Sequence, residues 1–160
     1  MKVAIYPGSF DPITNGHLDI LKSGSEIFDK VIIAVSYNIN KQSFLYTDER
    51  VELIKKAVEH LDNVEVDAFE GLTIEYAKKK GVQVLLRGLR TSFDFEYELQ
   101  LSQTNNALCE DLKTVFLITK PEYSFISSSM VREILINKGD ISKFVPPVVN
   151  EYLLTKYGDI

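Results

Sequence analysis

Short, almost continuously apolar runs alternate with longer amphipathic segments along this chain. The second run, Val31-Ile32-Ile33-Ala34-Val35, contains no polar residue, which is typical of a strand covered on both faces in a parallel sheet. This alternation predicts an α/β fold: a single doubly wound domain, spanning residues 1–160, with a five-stranded parallel sheet and right-handed crossovers. The five strands are predicted at residues 2–6, 31–36, 64–69, 82–87 and 114–119.

The segments between these runs predict helices. Thr47 is expected to cap a helix that continues to about residue 61, with Asp48 and Glu49 complementing the dipole of its first turn. A second helix is predicted at residues 73–80, followed by Gly81, a residue suited to the left-handed position after a helix. Helices are also predicted at residues 92–108, 128–137 and 147–157.

Composition excludes several classes of protein. The net charge of −5 gives no overall basic field for nucleic acid. The single cysteine, Cys109, excludes an internal disulfide framework and is expected to serve packing. No signal peptide and no apolar run of about 20 residues is visible, so we expect a cytoplasmic protein with no membrane partner.

Unusual residues follow each predicted strand. In open parallel sheets, ligands bind outside the carboxyl ends of the strands. The sequence therefore predicts one ligand site at that edge of the sheet. It would be formed by residues 8–17, 41, 71–73, 87–90 and 123–129.

The stretch after the first strand reads Gly8-Ser9-Phe10-Asp11-Pro12-Ile13-Thr14-Asn15-Gly16-His17 and predicts a loop that leads into a helix. A helix N-terminus offers free N–H groups and a positive dipole end, which suit a phosphate. Gly8 and Gly16 are expected to let the backbone turn tightly and approach a ligand. His17 adds a side-chain donor in the first helical turn.

Two further stretches suit phosphate but have ordinary explanations as well. Arg87 and Arg90 flank a glycine and suit bidentate phosphate binding, although a solvated strand end with a surface salt bridge also accounts for them. Serines before a helix are usually N-caps, yet three in a row, residues 127–129, offer more donors than one cap requires. Lys41, taken alone, is typical of a surface lysine.

Together these stretches resemble the phosphopantetheine adenylyltransferase family, which belongs to the nucleotidyltransferases with a (Thr/His)-x-Gly-His motif and a Rossmann-like fold. That motif reads Thr14-Asn15-Gly16-His17 here. The Arg87–Arg90 stretch, with residues 94–98, matches the second family signature, and residues 126–132 match the third. The resemblance runs from residue 5 to the C-terminal helix.

The resemblance implies transfer of the adenylyl group of ATP to 4′-phosphopantetheine, giving dephospho-coenzyme A and pyrophosphate. It also implies Mg²⁺ that accompanies ATP without a dedicated protein cage. Coenzyme A is implied as a feedback inhibitor, and the assembly as a homohexamer. Neither nucleic acid nor a membrane is expected as a partner.

The resemblance also implies roles for single residues. His17, Lys41 and Arg90 are expected to be catalytic, and Arg132 is expected either to assist with phosphate charge or to brace the loop. Asn106 departs from the basic residue found in relatives. The expected ATP-binding residues are Ser9, Phe10, His17, Gly88, Leu89, Arg90, Glu98, Tyr123, Ser124, Phe125, Ile126, Ser127, Ser128 and Ser129. The expected phosphopantetheine-binding residues are Ser9, Lys41, Leu72, Thr73, Arg87 and Asn105.

Two other functions remain to be distinguished. One is a different enzyme of the superfamily, such as a nicotinate-mononucleotide adenylyltransferase or a cytidylyltransferase, which the signature from Arg87 to Glu98 disfavours. The other is a non-catalytic nucleotide-binding or regulatory domain, which the intact His17, Lys41 and Arg90 disfavour. Assays of turnover and of pyrophosphate release separate these possibilities.

Overall fold

The computed structural model describes residues 1–158, and its centre is one parallel sheet of five strands in the order β3-β2-β1-β4-β5. Every pairing between neighbouring strands is parallel. The predicted fold class is therefore confirmed. The strands are β1 (Val3–Gly8), β2 (Lys30–Tyr37), β3 (Val64–Glu70), β4 (Val84–Leu89) and β5 (Lys113–Ile118).

Helices follow the strands, as the alternation predicts. The helices predicted at residues 73–80, 92–108 and 147–157 have those bounds in the structure, and a short 3₁₀ turn spans Pro121–Tyr123. Gly81 takes the predicted left-handed conformation, with φ of 66°. The helices are α1 (Asn15–Ile27), α2 (Thr47–Val58), α3 (Thr73–Lys80), α4 (Ser92–Leu108), α5 (Ser128–Ile136) and α6 (Pro147–Tyr157).

Apolar cores lie on both faces of the sheet. Helices α1, α2, α5 and α6 contribute side chains to the larger core, while α3 packs on the opposite face. Cys109 packs against that second core, as the sequence predicts. Within residues 1–158, no helix has the length and apolar character needed to cross a membrane.

Helix α2 is capped differently from the prediction. Thr47 is its first helical residue rather than its cap, and Tyr46 occupies the cap position. The backbone N–H of Tyr46 donates to Glu49 Oε2 at 2.7 Å, while the hydroxyl of Thr47 accepts from Arg50 at 3.2 Å. The helix also ends at Val58 instead of near residue 61.

Strands β1 and β4 extend further toward the site than predicted. Val82 does not begin β4, because its N–H donates to the carbonyl of Ala77 and so completes the cap of α3. At the other end, pairing with β5 continues to Leu89, so Arg87 and Gly88 lie within the strand. Rigid strand ends therefore carry these side chains.

Candidate active site

The first turn of α1 contains a reciprocal hydrogen-bonding pattern between Thr14 and His17. The hydroxyl of Thr14 accepts from the backbone N–H of His17 at 3.3 Å, and Nδ1 of His17 accepts from the backbone N–H of Thr14 at 3.0 Å. This is a capping box in which histidine takes the place usually filled by Glu or Gln. The helix start therefore fixes the orientation of the imidazole.

This orientation decides which nitrogen of His17 carries the proton. Since Nδ1 accepts a backbone hydrogen bond, the neutral ring carries its hydrogen on Nε2. Burial, and to a smaller extent the charges of Arg90 and Arg87, lower the pKa of His17 to about 3. The ring is therefore neutral at pH 7 and presents Nε2–H as a donor.

His17 lines a cavity of about 260 Å³ at the carboxyl ends of β1 and β4, here called the His17 cavity. The predicted ATP-binding residues that line it are Ser9, Phe10, His17, Gly88, Arg90, Glu98, Ile126, Ser127 and Ser128. The predicted ATP-binding residues that do not line it are Leu89, Tyr123, Ser124, Phe125 and Ser129.

A second cavity of about 220 Å³, the Asn105 cavity, adjoins the first. Four of the predicted phosphopantetheine-binding residues line it: Leu72, Thr73, Arg87 and Asn105. The two cavities share a wall formed by Pro7, Gly8, Arg87 and Glu98. The two cavities are therefore adjacent along this wall.

Lys41 lines a third and larger cavity, of about 1210 Å³. This Lys41 cavity shares Ser9 with the His17 cavity and Leu72 with the Asn105 cavity. The structure therefore places Lys41 beside the predicted site but not in the same cavity as His17 and Arg90.

Both arginines of the second signature are paired with carboxylates. Arg87 donates from Nε to Glu98 Oε2 at 2.9 Å and from a terminal nitrogen to the carbonyl of Pro7 at 2.7 Å. Burial lowers the pKa of Arg87, but its bonds with Glu98 outweigh this and raise it overall. Arg90 similarly binds Asp94 at 2.9 Å and the carbonyl of Ile126 at 2.8 Å. Both arginines form salt bridges and line the His17 cavity, but the pair of Arg87 with Glu98 is largely buried rather than the solvated surface pair of the ordinary explanation.

The three serines have separate partners. Ser127 is the N-cap of α5 and accepts from the N–H of Met130 at 3.1 Å. Ser128 donates its hydroxyl hydrogen to the carbonyl of Pro12 at 2.7 Å. Arg132 donates to the hydroxyl of Ser129 at 3.2 Å. One serine of the three is therefore an ordinary cap.

Side chains from three elements bind four backbone carbonyls at the end of β1 and in the loop between β1 and α1. The donors are Arg87 of β4, Arg50 of α2, and Arg132 and Ser128 of α5. The acceptors are the carbonyls of Pro7, Ser9, Asp11 and Pro12, in the same order, each at 2.7 Å. Arg132 thus contacts the loop, as expected if its role is to brace the loop.

Gly8 ends β1 and Gly16 lies in the first turn of α1, so neither provides the tight turn expected of them, whereas their close approach to a ligand stays a prediction. Neither Gly8 nor Gly16 has a positive φ; Phe10 does, at 47°. A Cβ on Gly8 would lie 2.9 Å from the Phe10 ring, whereas one on Gly16 would meet no atom closer than 3.6 Å. Gly8 is therefore needed to make room for Phe10, and the backbone turn occurs at Phe10 itself.

Sequence reasoning missed two buried charged residues beside the site. The carboxylate of Asp11 binds the backbone of the segment before α2, and Arg50 holds the loop carbonyl of Ser9. Arg50 had a detectable signal, because it lies at helical spacing from Leu53 and Ile54 on the buried face of α2. An arginine on an apolar stripe indicates a specific buried role.

Comparisons with known proteins indicate the family. The Cytidylyltransferase-like family model matches residues 5–134. The phosphopantetheine adenylyltransferase of Alkaliphilus metalliredigens is 52% identical over 98% of this chain and 99% of its own length. The enzyme of the same name from Gloeothece citriformis is 54% identical over 97% of this chain and 99% of its own length.

The chain belongs to the phosphopantetheine adenylyltransferase family. The predicted family and the predicted enzyme class, a nucleotidyltransferase, are therefore confirmed. A solved structure from Vibrio parahaemolyticus, provisionally assigned as a nicotinate-nucleotide adenylyltransferase, superposes with a TM-score of 0.69 over 96% of this chain and 99% of its own. At 23% identity, the likeness to that structure supports the fold of this phosphopantetheine adenylyltransferase family member but not a particular substrate.

Proposed function

We propose that this chain transfers the adenylyl group of ATP to 4′-phosphopantetheine, giving dephospho-coenzyme A and pyrophosphate, by direct in-line attack without a covalent intermediate. The observation that carries this proposal is the wall shared by two adjoining cavities, in which Arg87 and Glu98 take part. ATP would occupy the His17 cavity, and the pantetheine arm would occupy the Asn105 cavity. The two reacting phosphates would then meet at the shared wall.

The nucleophile in this reaction needs no general base. The second pKa of a phosphate monoester is about 6, so its oxygen is ionised at neutral pH. Catalysis then depends on holding two polyanions in line and on stabilising charge at the α-phosphorus. His17 supports this role because its neutral ring offers Nε2–H to the cavity.

Cationic and hydroxyl side chains complete the proposed site. Lys41, Arg87 and Arg90 would offset the phosphate charges, and Ser128 and Ser129 would hold the departing pyrophosphate. Ser9 lines both the His17 cavity and the Lys41 cavity. Lys41 would therefore reach the reacting phosphates across Ser9.

The family's chemistry implies ATP with a divalent metal, which we propose is Mg²⁺. Within residues 1–158, no group of three or more His, Cys, Asp or Glu side chains is placed to hold a metal ion. The carboxylates in the His17 cavity, Asp94 and Glu98, are already paired with arginines. Because both carboxylates are engaged by arginines, the site suits an ion whose ligands are mainly nucleotide phosphates and water. Bound there, Mg²⁺ would neutralise phosphate charge.

The chemistry is tested by comparing two acceptors that differ only in the phosphate. With ATP, 4′-phosphopantetheine should give dephospho-coenzyme A and stoichiometric pyrophosphate, whereas pantetheine should not react. Its hydroxyl is poorly ionised, and the proposed site has no base to activate it. Nicotinate mononucleotide serves as the control acceptor for the nearest alternative enzyme. Comparable turnover of pantetheine would contradict the proposed mechanism without a general base. A preference for nicotinate mononucleotide would contradict 4′-phosphopantetheine as the acceptor substrate.

We also propose that the protein is cytoplasmic, where its nucleotide substrate is found, and that it forms a homohexamer. Large apolar side chains are exposed on α4 and on the outer strand β5, among them Phe93, Tyr97, Leu108 and Ile118. Exposed apolar side chains of this size favour burial against another copy. Coenzyme A, which contains both halves of the product, would compete for the same cavities.

The proposed homohexamer can be tested by measuring the mass of the protein in solution. Light scattering at micromolar protein should report a mass close to six times the 18.2 kDa of one chain. Replacing the exposed Phe93 and Ile118 by serine should lower that mass, because it removes apolar area available for association. A mass near 18 kDa for the unaltered protein would contradict the hexamer.

A further inference from the structure

The carboxylate of Asp11 joins two segments that are distant in sequence. Its Oδ2 accepts from the backbone N–H of Phe44, and its Oδ1 accepts from that of Leu45, both at 2.8 Å. Asp11 is 7% exposed, and no ion pair to its carboxylate is found within residues 1–158. Its hydrogen bonds therefore connect the loop between β1 and α1, here called the His17 loop, with the segment before α2, residues 38–46.

Arg50 makes the reciprocal connection. It is 3% exposed, and one terminal nitrogen donates to the carbonyl of Ser9 in the His17 loop and to that of Ser36 at the end of β2. Its other terminal nitrogen donates to the hydroxyl of Thr47. The loop is thus joined to the segment before α2 through the Asp11 carboxylate, and to α2 itself through the Arg50 guanidinium.

The segment held in this way carries Lys41. Its first half forms a turn, in which the N–H of Lys41 donates to the carbonyl of Asn38 at 3.0 Å. Lys41 lies three residues before Phe44, so its Cα can be at most about 11 Å from the Cα of Phe44, given about 3.6 Å per extended residue. Fixing Phe44 and Leu45 therefore limits where the Lys41 ammonium can reach.

A carboxylate suits this position better than its amide. Two N–H donors need two acceptors, and an ionised carboxylate supplies both, whereas asparagine would turn an NH₂ group toward one of them. Hydrogen bonds to a charged acceptor are also roughly twice as strong as neutral ones.

We propose that Asp11 is a positioning residue that sets the location of Lys41 relative to His17. This inference rests on the proposed function, because the effect is expressed in the adenylyl transfer reaction. Asp11 would act through the backbone of Phe44 and Leu45, and it also lies in the wall of the Lys41 cavity. Arg50 supports the same arrangement from the opposite side.

A double-mutant cycle tests the proposal. Asp11→Asn should lower kcat/KM for phosphopantetheine about tenfold in the parent enzyme, within the range of measured coupling energies. In a Lys41→Ala background the same substitution should change kcat/KM by less than about twofold, because Lys41 is no longer present to be misplaced. Asp19→Asn is the matched control: Asp19 is 8% exposed and accepts from a backbone N–H, but that of Lys120. Its effect should be additive with Lys41→Ala.

The outcomes are distinguishable. A parent enzyme without turnover contradicts the proposed function, whereas an active parent with additive effects of Asp11→Asn and Lys41→Ala contradicts this inference. A Lys41→Ala enzyme of normal activity also contradicts it. Hydrogen exchange supplies a readout that needs no catalysis: the Phe44 and Leu45 amides should lose protection in Asp11→Asn and keep it in Asp19→Asn. If Asp11→Asn does not fold, Arg50→Lys, which keeps the charge but not the forked geometry, replaces it in the same cycle.

Discussion

Replacing His17 by alanine is expected to lower kcat by a hundredfold or more while both substrate dissociation constants stay within about tenfold. A donor at the α-phosphorus gains strength as negative charge builds there, so its loss weakens the transition state more than the ground state. A single fixed donor of this kind contributes about 3 kcal/mol, which is more than a hundredfold in rate. Steady-state kinetics with equilibrium binding measurements check this result.

The capping role of His17 calls for a second variant. Alanine also removes the acceptor for the backbone N–H of Thr14, which costs helix stability. His17→Gln keeps an acceptor of the usual capping-box type but moves the donor away from the Nε2 position. It should therefore retain the melting temperature and still lose kcat. His60, which is exposed, supplies the control: His60→Ala should behave as the parent.

Two outcomes would contradict the assignment of His17. One is a folded His17→Ala enzyme with near-normal kcat. The other is a defect that lies wholly in substrate binding, which would make His17 a ground-state phosphate ligand. The charge at the α-phosphorus would then have to be stabilised by Lys41 or Arg90.

Replacing Arg87 by methionine is expected to lower the free energy of unfolding by about 3 kcal/mol, even without substrate. Breaking a buried ion pair costs about 3–5 kcal/mol, because it leaves the partner charge uncompensated. The side chain of Glu98 is 8% exposed and that of Arg87 is 24% exposed, which favours the lower end of that range. Methionine retains an unbranched side chain, so the lost charge dominates. Chemical denaturation monitored by circular dichroism measures the change.

A double variant separates charge from packing. Arg87→Met with Glu98→Gln should recover most of the lost stability, since no unpaired charge then remains buried. Arg90→Met is the matched control: its pair with Asp94 is more exposed, and pairs of that kind contribute at most about 1 kcal/mol. Equal destabilisation by Arg87→Met and Arg90→Met would show that burial of the Glu98 pair is not the cause. Arg87→Met should also raise KM for phosphopantetheine.

Much of the fold could be predicted from local patterns. The strand runs are apolar because both faces of the sheet are covered, and α3 ends where Gly81 permits a left-handed conformation. The predicted start of β4 was wrong. Val82 has the β-branched apolar side chain typical of a strand, but its N–H donates to the carbonyl of Ala77 and completes the cap of α3. Two local patterns overlapped at that residue, and only the packed structure decides between them.

The site was less predictable where a side chain's role depends on partners that are distant in sequence. No sequence pattern indicates that Arg50 reaches the carbonyls of Ser9 and Ser36, or that Phe10 rather than a glycine makes the turn of the loop. Asp11 lies within a motif noted for its glycines and histidine, and its partners lie 33 and 34 residues away. The predicted roles of the site residues remain predictions, since geometry places side chains without ligands.

The carbonyls of the loop before α1 are held by donors that lie far along the chain. Three of these four bonds span 80 to 121 residues, from Arg87, Ser128 and Arg132 back to the loop. Contacts of such separation carry a loop-closure cost, and they form slowly. During synthesis the Thr-x-Gly-His motif leaves the ribosome early, yet its support arrives only with β4 and α5. We therefore expect the proposed phosphate site to form late in folding, after a partly synthesised chain already carries the signature.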